Sequence, residues 1–286
     1  MSLTEIQLNT LDSGQFSQST IEFDCECVVD REDVITDYNI FWIEKGAASI
    51  TIDFVNHEIK GNSFFFLNPG QIFSVASENK LTGVRIAFGE NFYCPKTNDG
   101  EIGCNGLLFN NLLSSPTMEV DASDTKKFSN ILQSIATSLD QDITAKQELV
   151  ESYLKILLIE CTEYKKKEIV PVDALTDDSH EIIRRFNSLV EEHYSEWHQI
   201  APYAEQFGIS PTSLTKKFSK LGVSPSKVIY DRLIIQAKRL LYFTDKQVKE
   251  IAYDLGFEEP AHFSSFFKNK TGKYPADFRK KLAESK

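Results

Sequence analysis

Between Ile200 and Lys281 one pattern is written twice. The first copy runs Ala204-x-x-x-Gly208-Ile209, then Ser210-Pro211, Leu214, Phe218, Gly222 and Pro225. The second runs Ala252-x-x-x-Gly256-Phe257, then Glu259-Pro260, Phe263, Phe267, Gly272 and Pro275. The offset is 48 residues from Ala204 to Ala252, 49 from Pro211 to Pro260 and 50 from Pro225 to Pro275, so two single-residue insertions, both in turns, account for the drift. A repeat that keeps its glycines, prolines and apolar positions reads as one structural unit used twice.

Each unit has a local physical reading. A short amphipathic helix ends at a glycine, which takes φ > 0 as a C-cap. A tight turn follows, and a second helix starts with Pro at its first position, where the missing N–H is no loss. Ser210 precedes that Pro as an N-cap. Leu214 and Phe218, like Phe263 and Phe267, lie four apart and point inward together. Two short helices around a Gly-containing turn are a helix-turn-helix, whose second helix enters a DNA major groove. Between the units, Pro225 to Phe243 carries helical spacing in Val228, Ile229, Leu233, Ala237, Leu240 and Leu241. Such a helix is a rod of roughly 28 Å, which suits two reading helices about one DNA turn apart (~34 Å).

Residues 180–286 resemble the AraC/XylS-type DNA-binding domain. The matching motifs are Gln236-Ala237-Lys238-Arg239-Leu240-Leu241, Val248-Lys249-Glu250-Ile251-Ala252-Tyr253-Asp254-Leu255-Gly256-Phe257, Phe263-Ser264-Ser265-Phe266-Phe267-Lys268 and Thr271-Gly272-Lys273-Tyr274-Pro275-Ala276-Asp277-Phe278-Arg279. The resemblance implies a sequence-specific regulator of transcription, more often an activator. Its partners are then double-stranded DNA and RNA polymerase.

A net charge of −11 runs against DNA binding until it is divided. Residues 180–286 hold 18 Lys and Arg against 13 Asp and Glu, whereas residues 1–179 hold 13 against 29. Charge asymmetry of this kind marks a basic nucleic-acid domain beside an acidic one. Ser210 to Tyr230 contains four lysines and no acid, and Pro260 to Lys273 contains three and no acid.

The length allows two domains: 1–168, a linker at 169–179, and 180–286. Residues 1–20 are polar and read as a loose arm. Candidate strands follow at Ile21–Val29, Tyr38–Glu44, Ala47–Phe54, Glu58–Ile59, Ser63–Leu67, Ile72–Ala76 and Leu81–Phe88, separated by turn signals such as Asn68-Pro69-Gly70. Short strands at this spacing predict a β-barrel or sandwich. With Gly46 before a strand pair and Asn68-Pro69-Gly70 after it, the region is similar to the cupin-like barrel that precedes many AraC-type domains. His57 is the only histidine before residue 180, too few ligands for a metal-binding cupin, so no metal and no cofactor is expected. His57 reads as a surface hairpin residue. Phe41, Trp42, Phe64, Phe65, Phe66, Phe73 and Phe88 fit either a packed core or an aromatic-lined pocket for a small effector.

Residues 89–120 read as irregular. Two helices are predicted next, Ser123–Leu139 and Thr144–Lys165. The apolar arc of the second is wider than one core face needs, which fits either packing on the barrel alone or a second partner surface; the family resemblance implies a homodimer through residues 123–165. Lys165-Lys166-Lys167-Glu168 reads as a solvated helix end, and His180–Tyr194 as the first helix of the second domain.

The first recognition helix is predicted from Pro211 to about Leu221. Carried across by motif, Thr212, Thr215 and Lys216 take the family's base-contacting positions, with Lys216 suited to guanine and the Thr methyls to thymine methyl groups. Lys217 and Lys220 are expected on phosphate. The second, Pro260 to about Thr271, exposes Ala261, His262 and Ser265 to bases and Ser264 and Lys268 to phosphate. Many relatives carry Arg where Ser265 stands, so the first unit is expected to carry most discrimination.

The N-terminus lacks a basic and an apolar signal region, and no apolar run approaches the ~20 residues of a membrane span. The chain therefore reads as cytoplasmic and without a membrane partner. Its five cysteines form no CxxC pair. Two other readings stay open. One is a regulator without a small ligand, controlled by abundance, a partner or oxidation of Cys94 and Cys104. The other is a cupin enzyme with a DNA-binding tail, for which the barrel offers neither metal ligands nor a nucleophile–base pair; no enzyme activity is expected.

Overall fold

The structure, a computed structural model, describes residues 4–10, 16–23, 35–77, 80–93, 108–109, 115–169, 177–219 and 222–284. The chain divides into two compact units, Met1–Val172 and Asp173–Lys286.

In the first unit a large antiparallel sheet contains β1 (Thr4–Thr10), β2 (Phe16–Phe23), β3 (Tyr38–Lys45), β6 (Ser63–Leu67), β8 (Leu81–Phe88) and β9 (Thr117–Glu119) in the order β1-β2-β8-β3-β6-β9. A small sheet holds β4 (Ala47–Ile52), β5 (Val55–Lys60) and β7 (Phe73–Ala76) in the order β5-β4-β7. Two helices, α1 (Ala122–Asp140) and α2 (Lys146–Ile169), follow.

Strand parity explains the layering. Side chains alternate across a strand, and in β3 and β6 both faces are buried. Tyr38, Ile40, Trp42, Phe64 and Phe66 join Phe128, Leu132, Leu154, Leu158 and Cys161 of the helices in one core. Phe41, Ile43, Phe65 and Leu67 join Ile50, Ile52, Phe73 and Val75 in a second core between the sheets. The run Phe64-Phe65-Phe66-Leu67 is apolar throughout because it is the wall between two cores. Phe41 stacks on Phe65 at 4.3 Å between ring centroids, and each such buried ring contributes about 1.5–3 kcal/mol. The aromatic residues of the strands are thus packed core.

The structure corrects several expectations. Residues 4–10 and 16–20 are not a loose arm: they belong to an antiparallel strand pair, β1 and β2, joined to β8 through Phe16↔Phe88 and Phe23↔Leu81. The period-two signal is hidden because polar Gln18 sits on a buried position, its Nε2 donating to the Leu132 carbonyl at 3.2 Å. Of the strand expected at Ile21–Val29, residues 21–23 lie in β2, and residues 24–29, with Cys25 and Cys27, lie outside the described residues. The strand expected to run to Phe54 stops at Ile52. Asp53 (φ 46°) and Phe54 (φ 68°) turn the chain straight into β5, a two-residue hairpin turn that lacks the usual Asn-Gly signal. The Asp53 carboxylate is buried there, accepting from Gln71 Nε2 at 2.8 Å and from the Ile72 amide at 3.4 Å.

His57 lies on β5 opposite Ile50 and shares the inward parity of Ile59, so it is half-buried rather than a surface residue. Burial holds its pKa below the usual imidazole value. Within 89–120, expected to be irregular, Thr117–Glu119 pairs with β6 through Phe65↔Thr117. Lys165 is not solvated. It is 3% exposed and its ammonium donates to the Thr117 carbonyl, tying α2 to β9. Helix α2 also continues to Ile169, into the expected linker; residues 170–176 lie outside the described residues. So do Cys94 and Cys104; Cys161 is buried in the core.

The second unit contains α3 (Asp177–His193), α4 (Ile200–Gln206), α5 (Pro211–Ser219), α6 (Pro225–Phe243), α7 (Val248–Asp254), α8 (Pro260–Thr271) and α9 (Pro275–Glu284). The predicted long helix begins and ends where expected, its Ser224 hydroxyl accepting from the Lys227 amide. The first helix starts three residues earlier than its predicted His180; α5 is described to Ser219, and Lys220 and Leu221 lie outside the described residues. Among the described residues no helix is long and apolar enough to cross a membrane.

Candidate nucleic-acid interface

Both predicted helix-turn-helix units form. Gly208 (φ 65°) and Gly256 (φ 76°) end α4 and α7 in the left-handed conformation, which glycine adopts without a Cβ penalty. The Ser210 hydroxyl accepts from the Ser213 amide at 3.1 Å and so caps α5. Leu214 and Phe218 are fully buried on the inner face of α5, as are Phe263 and Phe267 on α8.

That inward anchoring decides what faces out. On α5, Thr212, Ser213, Thr215, Lys216 and Lys217 are all exposed. Thr215 Oγ1 donates to the Pro211 carbonyl at 2.9 Å, so its hydroxyl proton is committed to the helix and its methyl is the group offered outward. Lys216 and Lys217 make no ion pair among the described residues, and Lys220 lies outside them. On α8, Ala261, His262, Ser265 and Lys268 are exposed, while Ser264 is half-buried and donates to the Pro260 carbonyl at 2.9 Å. The Lys268 ammonium donates to Tyr274 Oη at 3.2 Å and lies 4.3 Å from that ring's centroid. Lys270 lies 4.5 Å from the Tyr230 ring. Tyrosine faces thus steer two cations of the second unit, a cation–π preference.

The frame behind these helices is polar at its joints. Arg232 of α6 donates from Nε to both Glu191 carboxylate oxygens, at 3.0 and 2.9 Å, and its guanidinium sits 4.0 Å over Tyr194. Arg279 donates to the carbonyls of Leu241, Thr244 and Lys246, satisfying the end of α6. Tyr203 is buried behind α5, and burial holds its hydroxyl well above the usual phenol range.

Residues 203–281 match the family described as a helix-turn-helix domain. Residues 203–281 are a helix-turn-helix domain. The transcriptional activator RhaS of Salmonella schwarzengrund is 27% identical over 153 residues, 52% of this chain and 51% of that protein. RhaS of Salmonella newport is 26% identical over the same length. The chain spans about half the length of the curated relatives it matches. Among solved structures, ToxT from Vibrio cholerae is 19% identical with a TM-score of 0.43, covering 94% of this chain and 98% of that one. A ToxT structure with bound unsaturated fatty acid is 20% identical with a TM-score of 0.43, covering 96% of each chain. The AraC/XylS-type resemblance of the C-terminal motifs agrees with the matched helix-turn-helix domain and with the RhaS relatives.

Sequence reasoning passed over one part of the domain. The segment between α3 and α4, Ser195 to His198, packs against the turn of the second helix-turn-helix. His198 Nε2 lies 2.8 Å from the Leu255 carbonyl, and because a carbonyl only accepts, this nitrogen carries the proton. The His198 ring lies 4.6 Å from Phe257. A Cβ built on Gly256 would overlap the Ser195 carbonyl oxygen. Only the unusual run of aromatics around Trp197-His198 hinted at it.

Proposed function

We propose that the chain is a sequence-specific DNA-binding transcription regulator that activates its targets, with double-stranded DNA and RNA polymerase as partners. The observation that carries this reading is the exposed row Thr212, Thr215 and Lys216 on α5, in a stretch without acidic residues, on a helix held from behind by Leu214 and Phe218. Lys216 takes guanine O6 and N7, and the Thr212 and Thr215 methyls take thymine methyls. Lys217 and Lys220 take phosphates. On α8, Ala261, His262 and Ser265 face bases. Lys268, steered by Tyr274, takes a phosphate, and Ser264 reaches one by turning its hydroxyl from the Pro260 carbonyl. Residues 1–168 sense and dimerise, and residues 180–286 read DNA. A small effector in the N-terminal unit biases the regulator by binding its two states with different affinity.

Selection of genomic fragments at about 150 mM salt, followed by sequencing, tests the reading. The expected result is enrichment of sites with two half-motifs one helical turn apart, repeated for a dimer. Absence of enrichment both for the full chain and for residues 180–286 overturns it.

A further inference from the structure

The long helix α6 is one connection between the two reading helices: its last carbonyls accept from Arg279 of α9, and its Tyr230 ring lies 5.6 Å from Phe266 of α8. A second connection runs beside it. From Phe218 of α5, ring contacts lead to Phe186 at 4.8 Å, on to Tyr203 at 5.4 Å and on to Trp197 at 5.2 Å. The next residue, His198, crosses to the second unit through the Leu255 carbonyl and the Phe257 ring. Phe257 in turn lies 5.4 Å from both Phe263 and Phe266 of α8. Gly256 makes this possible, because only a residue without a Cβ lets the turn lie against Ser195.

We infer that the Ser195–His198 segment is a strut that sets the spacing and rotation between the two reading helices, with His198 and Gly256 as its positioning residues. Specificity then includes the distance between half-motifs as well as their bases. The strut's role in specificity rests on the DNA-binding function proposed for the chain.

The test uses the full chain and a site recovered by the genomic selection, together with derivatives carrying two inserted base pairs between half-motifs. Two inserted pairs move the second half-motif by about 7 Å and rotate it by roughly 70°. The wild type is expected to bind the altered site at least about tenfold more weakly, the effect of losing one or more base contacts. For His198→Ala the ratio between the two sites is expected to fall below about threefold, as a second unit held through α6 alone accepts both spacings. His198→Gln, whose amide can still donate to the Leu255 carbonyl, is expected to restore the ratio. A variant that is merely less stable loses affinity for both sites equally, so an unchanged ratio in His198→Ala overturns the strut. Hydrogen exchange without DNA is an independent readout. Faster exchange over residues 255–267 in His198→Ala supports the strut, and unchanged exchange overturns it. If the wild type binds no DNA, the regulator reading falls and the exchange result alone decides the strut.

Discussion

At the scale of single residues, Lys216 and Lys217 are neighbours on α5 with different expected roles. Lys216→Ala is expected to weaken the preferred site by about 1–3 kcal/mol and to relax the preference at one base pair. Lys217→Ala is expected to weaken all sequences alike and to lower the salt slope of binding by about one. Binding titrations on matched and mismatched duplexes at several salt concentrations separate the two; unchanged discrimination in Lys216→Ala would sink the assignment. His57 supplies a pH dependence. Its folded pKa lies below the unfolded value, so the unfolded chain binds the extra proton first. The contribution is present above the unfolded value of about 6.5 and is lost as pH falls through the folded one. The melting temperature should therefore fall on acidification below that value, and His57→Gln should flatten the slope.

At the scale of elements, two glycines in equivalent places of the repeat have unequal surroundings. Gly208 and Gly256 both have positive φ, but a Cβ on Gly208 meets nothing within 4 Å, whereas one on Gly256 overlaps Ser195. Gly208→Ala is expected to cost about 1–2 kcal/mol, the left-handed penalty alone. Gly256→Ala carries the same penalty plus overpacking of about 1–3 kcal/mol. Urea midpoints of the two variants measure the difference, and equal shifts would contradict the close approach. This pair also marks what was legible in the sequence. The start of α5 and both ends of α6 and α8 could be read because Pro, Gly and Ser act through their own backbone and capping preferences. The approach of Ser195, the Asp53-Phe54 turn and the burial of Lys165 could not. Each depends on a contact partner distant in sequence or on a conformation that the residue type does not announce. Polar β1 and the first five residues of β2 were missed for a related reason, since Gln18 is satisfied by a helix carbonyl 114 residues away.

At the scale of the molecule, an acidic unit and a basic one share a chain. The basic face of α5 and α8 can act locally because surface fields are screened beyond about 8–10 Å at physiological salt. Dimerisation through residues 123–165 would bring two such faces to one site. On α2, Ile156 (43% exposed) and Ile159 (39%) stand outside the core that Leu154, Leu157, Leu158 and Cys161 fill. Ile156→Asp with Ile159→Asp is expected to yield a folded monomer by sedimentation, with an unchanged far-ultraviolet spectrum. A dimer that persists would place the interface elsewhere.

Of the two tryptophans, Trp42 lies buried against Phe64 and Phe128 in the first unit, and Trp197 lies stacked on His193 in the second. The protein thus carries one native fluorophore per unit. Replacing either with Phe leaves a single emitter, so the unfolding of each half can be followed optically in the intact chain without an attached dye. Comparing the two midpoints, with and without DNA, would measure how far an event in one half is felt by the other.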